Sequence, residues 1–198
     1  MIKNKSLAYS GETLLYDNYE LLWKDNSYNF DEVSIGNQIW MAKNLDIDDG
    51  GNGIKTAAVS FDSGQSYQTA YYYTQDAARR IANSIDGWHL PSDNEFKRLA
   101  NFAAGSAVAG KYLKSTYGWS GTAALGKTYS ATNGLNYYGF NAFPWGTRYG
   151  NSDLSYLHKL AIFCSNDNGS GAWAGNVHSF TIGPDNKAIY DTPDVIDD

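Results

Sequence analysis

The sequence is poor in cysteine. Cys164 is the single one in 198 residues, which excludes an internal disulfide framework and any zinc site built on cysteine clusters. Charge is scarce too. Charged residues make up 18% and aromatics 15%, so the surface must be polar mainly through Asn, Ser, Thr, Gly and Tyr, with a core rich in rings. The net charge of −6 argues against general nucleic-acid binding, which needs a basic surface to displace counterions. No apolar run approaches the roughly 18–20 residues that cross a bilayer, so no membrane insertion is expected. The opening Met1-Ile2-Lys3-Asn4-Lys5-Ser6 lacks the apolar stretch of a signal peptide, and none is expected in this chain. No serine sits in a Gly-x-Ser-x-Gly elbow, and no carboxylate pair stands isolated among apolar residues.

What is present centres on Gly87-Trp88-His89-Leu90-Pro91-Ser92-Asp93-Asn94-Glu95-Phe96. Pro91 sets its own φ and biases Leu90 toward an extended conformation. Ser92 reads as an N-cap, with Glu95 three residues on completing a capping box. Phe96, Leu99, Ala100 and Ala103 then give one apolar helix face, and Trp88 and Leu90 can pin the helix entry to the core. Upstream, Tyr71-Tyr72-Tyr73 reads as a short aromatic strand. Thr74 caps a second helix to about Ser84, with Ala77, Ala78, Ile81, Ala82 and Ile85 inward, Arg79 and Arg80 outward, and Asp86-Gly87 as its end. Phe30 to Leu45 reads as two strands joined at Gly36-Asn37, with Val33, Ile35, Ile39 and Met41 alternating with more polar neighbours. Helices early and strands later suit an α+β domain.

Other stretches carry less. Residues 1–27 read as an arm or an extra hairpin, and residues 28–198 as the domain proper. Asp46 to Gly53 resembles a calcium loop, but position twelve of that loop, where an EF-hand needs its bidentate Glu, is Ala57. Gly121-Thr122-Ala123-Ala124-Leu125-Gly126-Lys127-Thr128 fits the phosphate-loop pattern in letters. It lacks the preceding buried strand and the following helix whose N–H groups would hold phosphate, so it is expected to be a surface loop. No metal and no cofactor are expected. A cysteine–histidine hydrolase would need His89, His158 or His178 beside Cys164. His89 belongs to the capped turn, leaving His158 and His178 as weak candidates.

From Phe140 to Phe180 the pattern changes. Gly139, Phe140, Phe143, Leu154, Leu157, Ala161, Phe163 and Ala172 look like scaffold. Between them stand Trp145, Arg148, Tyr149, Asn151, Asp153, Tyr156, His158, Lys159, Ile162, Trp173, Asn176 and His178, and Cys164 occupies a variable-looking surface position. Rings give contact area at low entropy cost, and Asn and His give adaptable hydrogen bonds. These residues are the expected ligand-binding face, within a variable-looking segment of residues 145–190.

Four stretches in order carry a family resemblance: Val33-Ser34-Ile35-Gly36-Asn37-Gln38-Ile39-Trp40-Met41-Ala42-Lys43-Asn44-Leu45; the capped turn at 87–96; Gly110-Lys111-Tyr112-Leu113-Lys114-Ser115 with Gly118-Trp119; and Tyr138-Gly139-Phe140-Asn141-Ala142-Phe143-Pro144 with Gly146 and Arg148. Over roughly residues 28 to 180 the chain resembles the Fibrobacter succinogenes major paralogous domain, whose fold is similar to C-type lectins and formylglycine-generating enzymes. The resemblance implies two helices packed on short antiparallel sheets with long irregular loops. The copper and oxygen chemistry of the formylglycine-generating enzymes uses a cysteine pair, which this chain lacks. It also lacks the Glu-Pro-Asn, Gln-Pro-Asp and Trp-Asn-Asp tripeptides of calcium-dependent lectins. The related fold serves in receptor-binding proteins diversified by a retroelement, and the last third resembles such a segment. The expectation is a non-enzymatic module that binds a protein or glycan receptor, on a phage tail or a bacterial cell surface. A structural or assembly module is the alternative, and a homo-oligomer is left open. The family usually closes on a further strand, a place that Ala188-Ile189-Tyr190 could take.

Overall fold

The structure is a computed structural model that describes residues 1–3, 30–60, 67–120, 133–148, 154–168 and 177–190. In chain order its elements are β1 (Ile2–Lys3), β2 (Glu32–Ile35), β3 (Gln38–Met41), β4 (Ile54–Ser60), β5 (Tyr67–Tyr73), α1 (Gln75–Ser84), β6 (Trp88–His89), α2 (Asp93–Phe102), α3 (Ala109–Leu113), β7 (Thr147–Arg148), β8 (Leu154–Ser155), β9 (Ala161–Asn168), β10 (Val177–Ile182) and β11 (Ala188–Tyr190). The strands form short antiparallel sheets in the orders β2-β3-β1-β6, β11-β10-β9, β4-β5 and β7-β8. The fold is α+β and mostly β. The phosphate-loop look-alike at 121–128 and the scaffold residue Ala172 lie outside the described residues.

The hairpin at Gly36-Asn37 forms as expected, pairing Glu32 with Met41 through Ile35 with Gln38. Gly36 takes φ +61, which only glycine adopts without cost. Period-two alternation, however, misses Trp40. Both Trp40 and Met41 are buried, because β3 is an inner strand and packs on both faces. Trp40 joins the main core beside Phe96, while Met41 joins a second cluster with Ile47, Ile81, Ile85 and Trp88. The chain's opening supplies β1, which lies between β3 and β6 and pairs Ile2 with Trp40 and with His89.

Both anticipated helices form with their anticipated caps. Thr74 accepts from the Ala77 N–H, and Ala77, Ala78, Ile81, Ala82 and Ile85 are buried. Ser92 accepts from the Glu95 N–H, and the Glu95 carboxylate accepts from the Ser92 N–H at 2.8 Å. Phe96, Leu99, Ala100 and Ala103 are buried beneath it. A third helix, the single turn α3, is not anticipated. It has no side-chain cap and is too short to show a period.

Glu95 couples this cap to pH. Burial works against its charge, but hydrogen bonds from His89 and from the Ser92 N–H and hydroxyl outweigh that. They hold the carboxyl at about 2 against an ordinary 4.5. A carboxyl with a lowered folded pKa adds stability above its unfolded pKa and loses it as pH falls through the folded one. Urea midpoints should therefore drop between pH 4.5 and about 2. They should drop less steeply in Glu95→Gln; equal slopes in the two proteins would show that Glu95 does not set this dependence.

The core between α2 and the β9–β11 sheet is a stack of rings. Phe96 lies on Phe180 at 4.7 Å and 12°, and on Trp40 at 5.5 Å. Trp40 and Phe163 each meet Phe140 at 5.6 Å. β11 pairs Ala188 with Ile182 and Tyr190 with Phe180, so Ala188-Ile189-Tyr190 does supply the last strand of that sheet. Lys114 is fully buried, with its ammonium 4.7 Å from the Trp119 ring. Among the described residues, no helix is long and apolar enough to cross a membrane.

Candidate functional site

The site is a cavity of about 180 Å³ between β3, β5, β7 and β9. Its floor is the outer edge of the core. Trp40, Phe96, Phe140, Phe143 and Phe163, all held by the ring stack or beside it, reach its lining. One wall is β5, whose Tyr71, Tyr72 and Tyr73 all border the space. Successive strand residues point to opposite faces, and the tyrosines divide accordingly. Tyr71 and Tyr73 stack at 15° on one face, and the Tyr73 hydroxyl donates to the Leu45 and Ile47 carbonyls and accepts from the Ile47 N–H. The Tyr72 hydroxyl goes the other way and donates to the Trp145 carbonyl at 2.9 Å. That bond fastens β5 to the start of β7.

The opposite wall is the turn from Trp145 to Arg148 together with β9. Gly146 makes the turn possible. Its φ is +66, and a Cβ there would lie 2.1 Å from the Ser155 carbonyl oxygen. Its N–H donates to Leu160 at 2.8 Å. β9 is fixed from the far side by α1. The Gln75 amide donates to the Ser165 and Asp167 carbonyls, and Arg79 donates to the Asn166 side chain. Ile162 and Cys164 thereby reach the lining.

The cavity is apolar, with a cationic margin. Among the described residues its lining contains no Asp or Glu, and its cationic side chains are Lys43 and Arg148; Met1 also borders it, and burial lowers the Met1 amino group to about 5. Lys43 is paired with Asp46 at 2.8 Å. Arg148 donates through Nη1 to the Thr56 carbonyl at 2.6 Å, while its buried Nε has no acceptor among the described residues. The indole nitrogens of Trp40 and Trp145, on the same lining, are likewise buried donors without an acceptor among the described residues. Burial pushes the Tyr72 hydroxyl up to about 12, partly opposed by the nearby Arg148 charge. Burial also pushes the Cys164 thiol up to about 11, and that thiol donates weakly to the Tyr73 carbonyl at 3.8 Å. A thiol kept protonated in this way is a poor nucleophile.

Of the anticipated face, Trp145, Arg148, Ile162 and Cys164 meet at this cavity. Tyr149, Asn151, Asp153, Trp173 and Asn176 lie outside the described residues. Tyr156, His158, Lys159 and His178 are described and do not line it. Tyr156 and His158 sit in a turn with φ +58 and +65, and the Lys159 N–H closes that turn onto the Tyr156 carbonyl. His158 acts as a strap. Its N–H donates to Pro144, its carbonyl accepts from Ser120, and its Nδ1 lies 3.1 Å from the Gly118 carbonyl. His178 Nδ1 lies 2.5 Å from Asp93 Oδ2 at the start of α2. Cys164 makes no hydrogen bond to either histidine among the described residues. In the acidic loop, Asp48 and Asp49 accept from the N–H groups of Gly50 and Gly51, and Asp49 also takes a two-pronged contact from Arg80.

The sequence reading places no site residue on β5 or β3. Three consecutive tyrosines on a strand were the available signal, since they must put hydroxyl-bearing rings on both of its faces. Trp40 carried no comparable mark.

The description Fibrobacter succinogenes major domain matches residues 33–185. A comparison with curated proteins finds no match, and neither does one with solved structures. The match spans most of the sequence, from Val33 within β2 to Asp185 beyond β10, and takes in every lining residue of the cavity except Met1, so the chain belongs to the Fibrobacter succinogenes major domain family.

Proposed function

We propose that this chain is a non-enzymatic ligand-binding module with a C-type-lectin-like fold. It would serve as an adhesin or a phage tail-tip receptor-binding protein and recognise a protein or glycan through its C-terminal third. The observation that carries this reading is the convergence of Trp145, Arg148, Ile162 and Cys164 on one ring-floored cavity. Their supports are core residues and backbone hydrogen bonds, so the lining can change without dismantling the fold. The half-buried Cys164 thiol, pushed up to about 11, supports binding over thiolate catalysis. Diversification by a retroelement belongs to the same proposal. It requires a near-copy of the gene's 3′ end beside a reverse transcriptase, which sequencing the gene's neighbourhood would reveal.

A glycan and cell-binding screen of the purified chain tests the reading, run beside Ile162→Trp. Ile162 is half-buried on β9, and the larger side chain fills the cavity from its wall. Captured ligands should bind at least about tenfold more weakly to the variant, a loss of about 1.4 kcal/mol, at an unchanged melting temperature. Undiminished binding by Ile162→Trp would place recognition elsewhere.

A second reading, an assembly module, has its own support. Phe102, Val108, Leu135 and Tyr137 are exposed, Tyr137 by 70%. The rings of Phe102, Tyr112, Tyr137 and Tyr138 touch in a chain with centroids 4.9–6.3 Å apart. None of these residues lines the cavity. An exposed apolar patch of this kind suits a subunit contact. Sedimentation of the wild type against Tyr137→Ser reads it out directly.

A further inference from the structure

We infer that the cavity takes a monocarboxylate on a flat apolar body, with the carboxylate set against Arg148 and the body against the ring floor. This rests on the reading above that the cavity is a binding site, and it adds the ligand's chemistry. Size comes first. An apolar cavity of about 150 Å³ admits a benzene ring, so about 180 Å³ holds one ring and one small polar group. The floor suits the ring, because Phe140, Phe143 and Phe163 give it edges and faces at core density.

Charge comes second. The chain carries a net −6, yet the described lining has no carboxylate. Lys43 is neutralised by Asp46. Arg148 has no carboxylate partner among the described residues and spends Nη1 on a neutral carbonyl. Among the described residues, then, Arg148 is the one cationic side chain of the lining without a carboxylate partner, and at the edge of an apolar space it selects a single negative charge.

Hydrogen bonding comes third. Among the described residues, the Arg148 Nε–H and the indole N–H groups of Trp40 and Trp145 are three donors sealed from solvent without an acceptor, all on residues of this lining. Buried donors are nearly always paired. The lining is therefore short of acceptors, and a carboxylate brings two oxygens and no donor. Trp145 and Arg148 are only half-buried, so a modest side-chain shift can present their N–H groups. A cationic or donor-rich ligand would leave the same groups unpaired and add repulsion.

The test is calorimetric titration of the full chain with phenylacetate, with phenylacetamide, which has the same shape without charge, and with benzylamine, which reverses the charge. Phenylacetate should bind at least about tenfold more tightly than the amide, as expected of a charge-assisted hydrogen bond, and benzylamine should not bind. Arg148→Gln should remove the preference for acid over amide at an unchanged melting temperature. Arg148→Lys should keep part of it. A peptide ending in phenylalanine offers the same chemistry on a chain. If it binds alongside phenylacetate, a polypeptide C-terminus is a source; if only phenylacetate binds, the source is a small free acid.

Equal binding of acid and amide, a preference that survives in Arg148→Gln, or no binding of phenylacetate would each overturn the inference. These failures separate from failure of the site itself. If Ile162→Trp weakens capture of neutral ligands in the screen, the cavity stands and only its anion preference falls. If Ile162→Trp leaves every captured ligand unaffected, both fall.

Discussion

Phe96→Ala should destabilise this domain by about 3–5 kcal/mol, the usual loss for a fully buried phenylalanine. The ring is 2% exposed. It stacks on Phe180 at 4.7 Å, lies against Trp40 at 5.5 Å and approaches Phe163 at 6.4 Å. Those neighbours come from β3, β9 and β10, so truncation leaves a void at a junction no single element can close. The hole should not collapse, because each neighbouring ring is held by a further one: Trp40 by Phe140, and Phe163 by Phe140 and Phe180. Urea unfolding checks this through a lower midpoint at an unchanged slope, and a thermal melt should fall by roughly 10 °C for a chain of this size. Phe102→Ala is the control. Its ring is 51% exposed, and its loss should cost less than about 1 kcal/mol. Similar losses at the two positions would mean that the core is not where the ring stack places it.

Gly146→Ala should damage the cavity and the fold together. A left-handed backbone costs a non-glycine residue about 1–3 kcal/mol, and overlap adds to that. The new methyl would meet the Ser155 carbonyl oxygen at 2.1 Å and the Leu157 nitrogen at 2.7 Å, both backbone atoms. Relief requires separating β7 from the turn after β8, which moves Trp145, the residue before the glycine, and Arg148, two residues after it. The expected result is a lower urea midpoint together with loss of ligand capture, whereas Ile162→Trp loses capture alone. A Gly146→Ala protein with normal stability and binding would show that this close approach does not hold the wall in place.

How much of this could be read from the sequence follows the range of each interaction. Thr74 and Ser92 were legible because a cap is written within four residues, and the apolar faces behind them repeat at helical spacing. The hairpin at Gly36-Asn37 was legible for the same reason. Trp40 was not, since whether a strand is covered on one face or two depends on what packs from 50 residues or more away, here Phe96 and Phe140. The cavity was half legible. Trp145, Arg148, Ile162 and Cys164 stand out in the sequence as face residues, while Phe140, Phe143 and Phe163 look like scaffold there and form the floor. Tyr72 carries no local mark of its role, because its partner is the Trp145 carbonyl, 73 residues on. His158 shows the same limit from another side. A histidine among polar neighbours looks like a contact residue, and only the fold shows it tying Gly118 and Ser120 to the turn before β9.

That turn limits what any process rewriting the segment can insert. Tyr156 and His158 keep backbones at φ +58 and +65, where β-branched side chains collide with their own chain and glycine, asparagine, aspartate and histidine fare best. Related genes compared at these two codons should therefore spell a narrow alphabet, with valine and isoleucine nearly missing. At position 162, on an ordinary strand, the same genes are free to wander.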